Sequence, residues 1–232
     1  MQIGSHEWAR LIAEGAEAFG LALTDDQLRR FARHAAELVA WNAVSNLTAI
    51  TRPEEIARNH FLDSLAAAGL VAPGSRLLDV GTGGGFPGLP LHVAVPGLAT
   101  TLLDSSRKKV SFLRHAVRAM GLGGVEALNQ RLEDFARRGG AGRVYDTVVS
   151  RAAVPLEAYV RLAVPLLDAG GQAIAYKGAV PEAEMAALAR VAAASVPPLA
   201  IARQPYCLPG LRARRELILV RRGGRGVRGE AR

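Results

Sequence analysis

The sequence predicts an α/β fold: a mostly parallel sheet covered by helices on both faces, preceded by a helical extension. Three observations predict it. After Pro73-Gly74, short apolar runs alternate with helix-patterned stretches. The first of those runs, RLLDV, breaks into a glycine-rich turn, GTGGGFPG. The first fifty residues, by contrast, follow helical spacing. The expected organisation is a helical extension over 1–72, a sheet domain over 73–222 and a disordered Arg/Gly-rich tail over 223–232.

Taken in order, Ser5 suits the N-cap of a helix running towards Phe19. Thr24 to Gln27 has the form of a capping box, with Asp25 and Asp26 where the helix dipole favours acids. Leu28, Phe31, Ala35, Leu38 and Trp41 then make one apolar stripe. NAVSNLTAIT, from Asn42 to Thr51, breaks that pattern, and Asn46 within it is a candidate for the substrate face. Pro53, beside Glu54 and Glu55, opens a third helix expected to reach Leu70.

RLLDV and LATTLLD are the first two strands. Ser105 is the expected cap of a basic helix that ends near Gly121. Its spacing turns Val110, Leu113 and Val117 inward and Arg107, Arg114 and Arg118 outward. Further strands follow near Val125 to Leu128, at YDTVVS and over Gln172 to Tyr176, with helices opened by Pro155 and Pro181. LAIARQPY and ELILVRR form an antiparallel edge pair, which brings the sheet to seven strands.

Composition bounds the function. Half of the 232 residues are hydrophobic, enough for a sizeable core. Cys207 is the only cysteine, which excludes an internal disulfide and a cysteine-based zinc cluster. It is expected to be buried packing. With no signal-like start and no run of about 18 apolar residues, a soluble, cytoplasmic protein is expected. From Arg212 onward there are eight arginines and two acids, so +6 of the net charge of +8 lies in the last 21 residues. Charge therefore permits nucleic-acid binding without establishing it.

The glycine loop carries the chemistry. Glycines let backbone approach a ligand, and the following helix offers its N-terminus. Gly83, Gly85 and Gly88 fit a dinucleotide frame, but it starts late, and Asp79 stands two residues before Gly81. A carboxylate there repels a pyrophosphate and suits a ligand with a cationic amino-acid end, such as S-adenosylmethionine. Asp104, ending the second strand, is placed to accept hydrogen bonds from ribose hydroxyls, a need shared by NAD and S-adenosylmethionine. The Walker sequence is missing. The residues thus favour a methyltransferase over a dehydrogenase.

WNAVSNLTAIT, HFLDSL, DVGTGGGFPGLPL, LLDSSRKKVSFLR, RLED, VVSRA and AYKG, in this order, resemble one family closely. It is the bacterial ribosomal small-subunit methyltransferase G family, also called glucose-inhibited division protein B. The resemblance runs from about Trp41 to Gly178. It implies a Rossmann-like class I enzyme that uses S-adenosylmethionine to methylate N7 of one guanine in 16S rRNA. Such a protein is expected to act as a monomer on the small ribosomal subunit, without a metal or a membrane.

Carried onto this chain, the resemblance gives Gly81, Thr82 and Gly83 to the methionine end, with Phe86 packing on the ligand. Asp104, Ser105 and Ser106 hold the ribose, Leu132 and Glu133 read the adenine, and Arg151 lies at the mouth of the site. His60, Asp63 and Lys177, with Arg151, are the candidate substrate contacts: His60 and Asp63, three apart on one helix face, meet the base or each other, and Lys177 meets a phosphate. Catalytic residues are not assigned, because guanine N7 carries a lone pair and no proton, so positioning alone serves the transfer. Two alternatives stay open at this point: a methyltransferase acting on a small molecule or protein, and a non-catalytic RNA- or nucleotide-binding protein.

Overall fold

The computed structural model describes residues 1–151, 154–211 and 214–223. The sequence predicts a disordered tail over 223–232; all of it beyond Gly223 lies outside the described residues, as does Arg212.

Helices α1 (His6–Glu17) and α2 (Asp25–Ser45) come first, and both expected caps form. Ser5 accepts from the Trp8 N–H, and Thr24 and Gln27 make the reciprocal capping box. α2 ends at Asn46, which adopts the left-handed conformation (φ 47°). The third helix does not run uniformly to Leu70. It starts as α3 (Pro53–Ile56), widens into a π-helical stretch (Ala57–Leu62) and closes as α4 (Asp63–Leu65). Such wide turns are frequent at functional sites.

The alternating part then runs β1 (Arg76–Val80), α5 (Gly88–Ala94), β2 (Ala99–Asp104), α6 (Arg107–Ala119), β3 (Val125–Asn129), α7 (Leu132–Arg137) and β4 (Tyr145–Ser150). It continues through α8 (Leu156–Ala163), β5 (Leu167–Lys177) and α9 (Glu182–Ala194) to the hairpin β6 (Ala200–Cys207) and β7 (Arg214–Arg221). Ser106, rather than Ser105, is the N-cap of α6, because its side chain accepts from the Lys109 N–H.

The strands form one seven-stranded sheet of order β3-β2-β1-β4-β5-β7-β6. β1 pairs in parallel with β2 on one side and with β4 on the other, while β7 runs antiparallel to both its neighbours, β5 and β6. The chain therefore reverses its winding between β1 and β4. Ligands of open α/β sheets bind outside the carboxyl ends of the strands at such a switch point.

The N-terminal helices have no core to themselves. Trp8, Phe31, Leu38 and Phe61 share one buried cluster with Phe86 of the glycine loop and with Phe112 and Leu113 of α6. The Trp8 indole N–H also donates to the Pro53 carbonyl at 2.9 Å. α8 and α9 cover the opposite face of the sheet through Leu156, Tyr159 and Leu188. The extension thus fixes the outer wall of the glycine loop, which connects the sequence's apolar stripe directly to the site.

Thr24→Ala removes the capping box that sets the start of α2. Urea unfolding should show a loss of about 1 kcal/mol; no loss would mean the cap contributes nothing to that helix.

Candidate functional site

The loop after β1 is shaped by an acid beneath it. Asp79 is completely buried, and its Oδ2 accepts from the Thr82 hydroxyl at 2.6 Å and the Gly88 N–H at 2.7 Å. Burial is the largest influence on this carboxyl and raises its pKa to about 6, against the lowering effect of the two hydrogen bonds. Asp79 is turned inward and clasps the loop, rather than facing a ligand's ammonium group as its place in the sequence suggests.

The glycines divide accordingly. A Cβ on Gly88 would stand 2.7 Å from Asp79 Oδ2 and 2.9 Å from Asp79 Cβ. At Gly85 (φ +91°) it would stand 2.4 Å from Leu89 Cδ1. Those two positions are small for packing. Gly81 and Gly83, both at positive φ, border open space at the strand ends.

The second acid sits on the other side of the loop. Asp104 Oδ2 accepts from the Gly83 N–H at 3.0 Å and Oδ1 from the Ser106 N–H at 2.8 Å. It lies on a crevice of about 370 Å³ lined also by Gly81, Ser105, Leu132, Glu133 and Val154. A carboxylate offers about four acceptor positions, so two remain for a ligand. The predicted cofactor residues Gly81, Asp104, Ser105, Leu132 and Glu133 are therefore brought to one cavity, with Ser106 fixing the acid by its backbone.

A smaller cavity of about 160 Å³ opens on the far side of Gly81 and is lined by Thr48, His60, Thr82, Gly83, Phe86 and Arg151, among others. Gly81 is common to both. Phe86 does not join the larger crevice. Its ring is nearly buried and stacks on His34 at 4.7 Å and on His60 at 4.5 Å between centroids.

Arg151 anchors this second cavity. Its Nη1 donates to the Asn59 carbonyl at 2.7 Å and to Asp63 Oδ2 at 3.0 Å, while Nη2 donates to His60 Nδ1 at 3.2 Å. The wide π-helical turn and the first residue of α4 thus present Asn59, His60 and Asp63 to one guanidinium. Asp63 is fully buried, and its Oδ1 accepts from Tyr206 Oη at 2.7 Å and Arg215 Nη1 at 3.0 Å. Asp63 is consequently a positioning group for Arg151 and does not face a base. His60 and Asp63 meet through Arg151 instead of touching each other.

Lys177 is likewise committed: its Nζ donates to the Val154 carbonyl at 2.7 Å and to Glu184 at 3.1 Å. It braces the loop after β4 rather than extending towards a phosphate. Cys207 is exposed, contrary to the packing role expected for it.

The sequence that builds this crevice and its companion pocket matches a known family. The model of GidB, described as rRNA small subunit methyltransferase G, matches residues 27–202. The chain belongs to this family.

Among curated relatives, the ribosomal RNA small subunit methyltransferase G of Syntrophus aciditrophicus is 44% identical over 175 residues, 75% of this chain and 73% of that protein. The one from Chromobacterium violaceum is 38% identical over 89% of this chain and 94% of its own. The fold also matches an O-methyltransferase from Bacillus cereus solved with SAH, with TM-score 0.59 and 18% identity, over 81% of this chain and 90% of that one. Membership makes the chain an S-adenosylmethionine-dependent methyltransferase of the rRNA small subunit class. Among the described residues no helix is long and apolar enough to cross a membrane.

The family member's electrostatics also involve a residue that sequence reading passed over. His34 is buried at the centre of α2's apolar stripe, three residues from Phe31 and four from Leu38. Its Nε2 donates to the Gly84 carbonyl at 2.8 Å and so ties α2 to the loop. Its periodic position was the available signal. Burial lowers its pKa to about 4. Burial first, then the charge of Arg151, lowers that of His60 to about 3.

Both histidines are neutral in the folded protein and gain a proton on unfolding below pH 6.5. Stability should therefore be fully present above pH 6.5 and fall on acidification, by up to about 1.4 kcal/mol per pH unit for each. Urea titrations between pH 7 and 4.5 check this. The His34→Asn variant should show a shallower slope than the wild type, and an equal slope would exclude His34 as a source.

Proposed function

We propose that this family member transfers a methyl group from S-adenosylmethionine to N7 of a specific guanine in 16S rRNA, as a monomeric cytoplasmic enzyme that needs no metal. The observation that carries the reading is the meeting of the two cavities at Gly81. One is walled by an acid of the kind that holds a ribose. Among the described residues, the other is lined by no side chain able to take a proton at neutral pH: burial and the charge of Arg151 lower the His60 pKa to about 3, and Arg151 is a permanent cation.

The residues fit the donor. Asp104 would accept from ribose hydroxyls with its remaining lone pairs, Leu132 and Glu133 would contact the adenine from the crevice wall, and the backbone of Gly81, Thr82 and Gly83 would receive the methionine end. Bound S-adenosylmethionine supplies an electrophilic sulfonium methyl. Guanine N7 would attack that methyl with its own lone pair as the carbon–sulfur bond breaks and its electron pair returns to sulfur, which leaves as a neutral thioether; no proton moves, and a general base has nothing to do. The protein's part is to hold the two partners in line, which converts a bimolecular step into a unimolecular one.

Reaching the base requires taking it out of its stack. Arg131 and Arg138 flank Ser105 beside the crevice, and Arg107 and Arg118 are exposed on α6. Contacts from such residues to phosphates give affinity without choosing a sequence.

The test uses methyl-labelled S-adenosylmethionine and small subunits from cells lacking the endogenous enzyme. Label in 7-methylguanosine from one 16S site is the expected outcome, while label only in free metabolites or proteins would refute the RNA substrate. Asp104→Ala should weaken cofactor binding more than tenfold, about 1.4 kcal/mol. Unchanged affinity by calorimetry would remove Asp104 from the ribose site.

A further inference from the structure

Thr48 lies in the stretch between α2 and α3, half-buried on the wall of the smaller cavity. Its hydrogen bonds fix the direction of its hydroxyl proton. Arg151 carries donors only, so His60 Nδ1, at 3.2 Å from Nη2, must accept. The imidazole proton is therefore on Nε2, which donates to Thr48 Oγ1 at 3.1 Å. The Ile50 N–H donates to the same oxygen at 3.0 Å. A hydroxyl has two lone pairs and one proton. With both lone pairs taken, Thr48 can act towards a ligand only as a donor.

We propose that the Thr48 hydroxyl selects guanine by donating a hydrogen bond to its O6; the proposal rests on the guanine-N7 reading above. Guanine presents N7 and O6 side by side, both acceptors, whereas adenine presents N7 beside an amino donor. A donor on O6 leaves the N7 lone pair free for the methyl group. An adenine in the same place would set its amino group against a hydroxyl that has no acceptor left. Burial and the charge of Arg151 keep His60 neutral, which preserves this donor chain at physiological pH. Thr48 is then a specificity residue, oriented by Arg151 through His60.

The experiment compares kcat/KM on reconstituted small subunits carrying either guanine or 2-aminopurine at the methylated position. 2-Aminopurine keeps N7 and the 2-amino group but lacks O6. The wild type should prefer guanine by about tenfold, the worth of one neutral hydrogen bond. Thr48→Val should lose that preference, and Thr48→Ser, which keeps the hydroxyl, should retain it. Calorimetric binding of S-adenosylmethionine to each variant separates loss of the donor from loss of the fold. An undiminished preference in a cofactor-binding Thr48→Val, or no preference in the wild type, overturns the proposal. Should the wild type leave N7 of the guanine substrate unlabelled, the proposed function falls and this inference with it.

Discussion

One buried carboxylate holds the site together. Asp63 is removed from water entirely, and an ion there without partners would cost several kcal/mol. The chain surrounds it with Arg151 from the end of β4 and with Arg215 and Tyr206 from the edge hairpin. Arg215 reaches Asn59 as well, at 3.0 Å. Three distant stretches of sequence are thereby obliged to meet at the π-helical turn. The arrangement is poor evidence for extra stability, since burying charges offsets their attraction. Its consequence is geometric: Arg151 has little freedom, and His60 is held in one tautomer.

The two acids flanking the glycine loop show how one residue type serves opposite ends. Asp79 lies under the loop, and its hydrogen bonds to Thr82 and Gly88 close the loop from inside. Asp104 lies at the rim, and its bonds to Gly83 and Ser106 leave it acceptor capacity facing a cavity. Direction separates them: Asp79 turns its Oδ2 to the loop's own donors, and burial lifts its pKa to about 6. A loop clasped below and open above can present backbone to a cofactor without rearranging.

Much of this was legible in the sequence. The strand–helix alternation, the capping box and the antiparallel edge pair depend on local patterns, and all appear where those patterns lie. Asp104 was legible because a strand's last residue has a fixed place relative to the crevice. What stayed hidden were side-chain directions set by partners far along the chain. Asp63 and Lys177 read as substrate contacts, because nothing local reveals that Arg215, 152 residues later, or Glu184 will occupy them. Phe86 reads as a cofactor contact, because the histidine rings it stacks on come from α2 and the π-helical turn. The π-helical turn itself has no period that distinguishes ARNHFL from ordinary helix.

The division of labour between sheet and extension follows from the same geometry. The sheet topology is shared with an O-methyltransferase at only 18% identity, so strand order by itself cannot decide what is methylated. It places an acid, a glycine loop and a crevice at the switch point. Four of the ten residues lining the smaller cavity come from elsewhere: Leu38 from α2, Leu47 and Thr48 from the stretch after it, and His60 from the π-helical turn. These residues stay in place only because α1, α2 and the turn share a core with Phe86 and α6. The proposed selection of the acceptor by Thr48 would therefore reside in the helical extension, whose packing against the loop brings the two cavities to the same glycine.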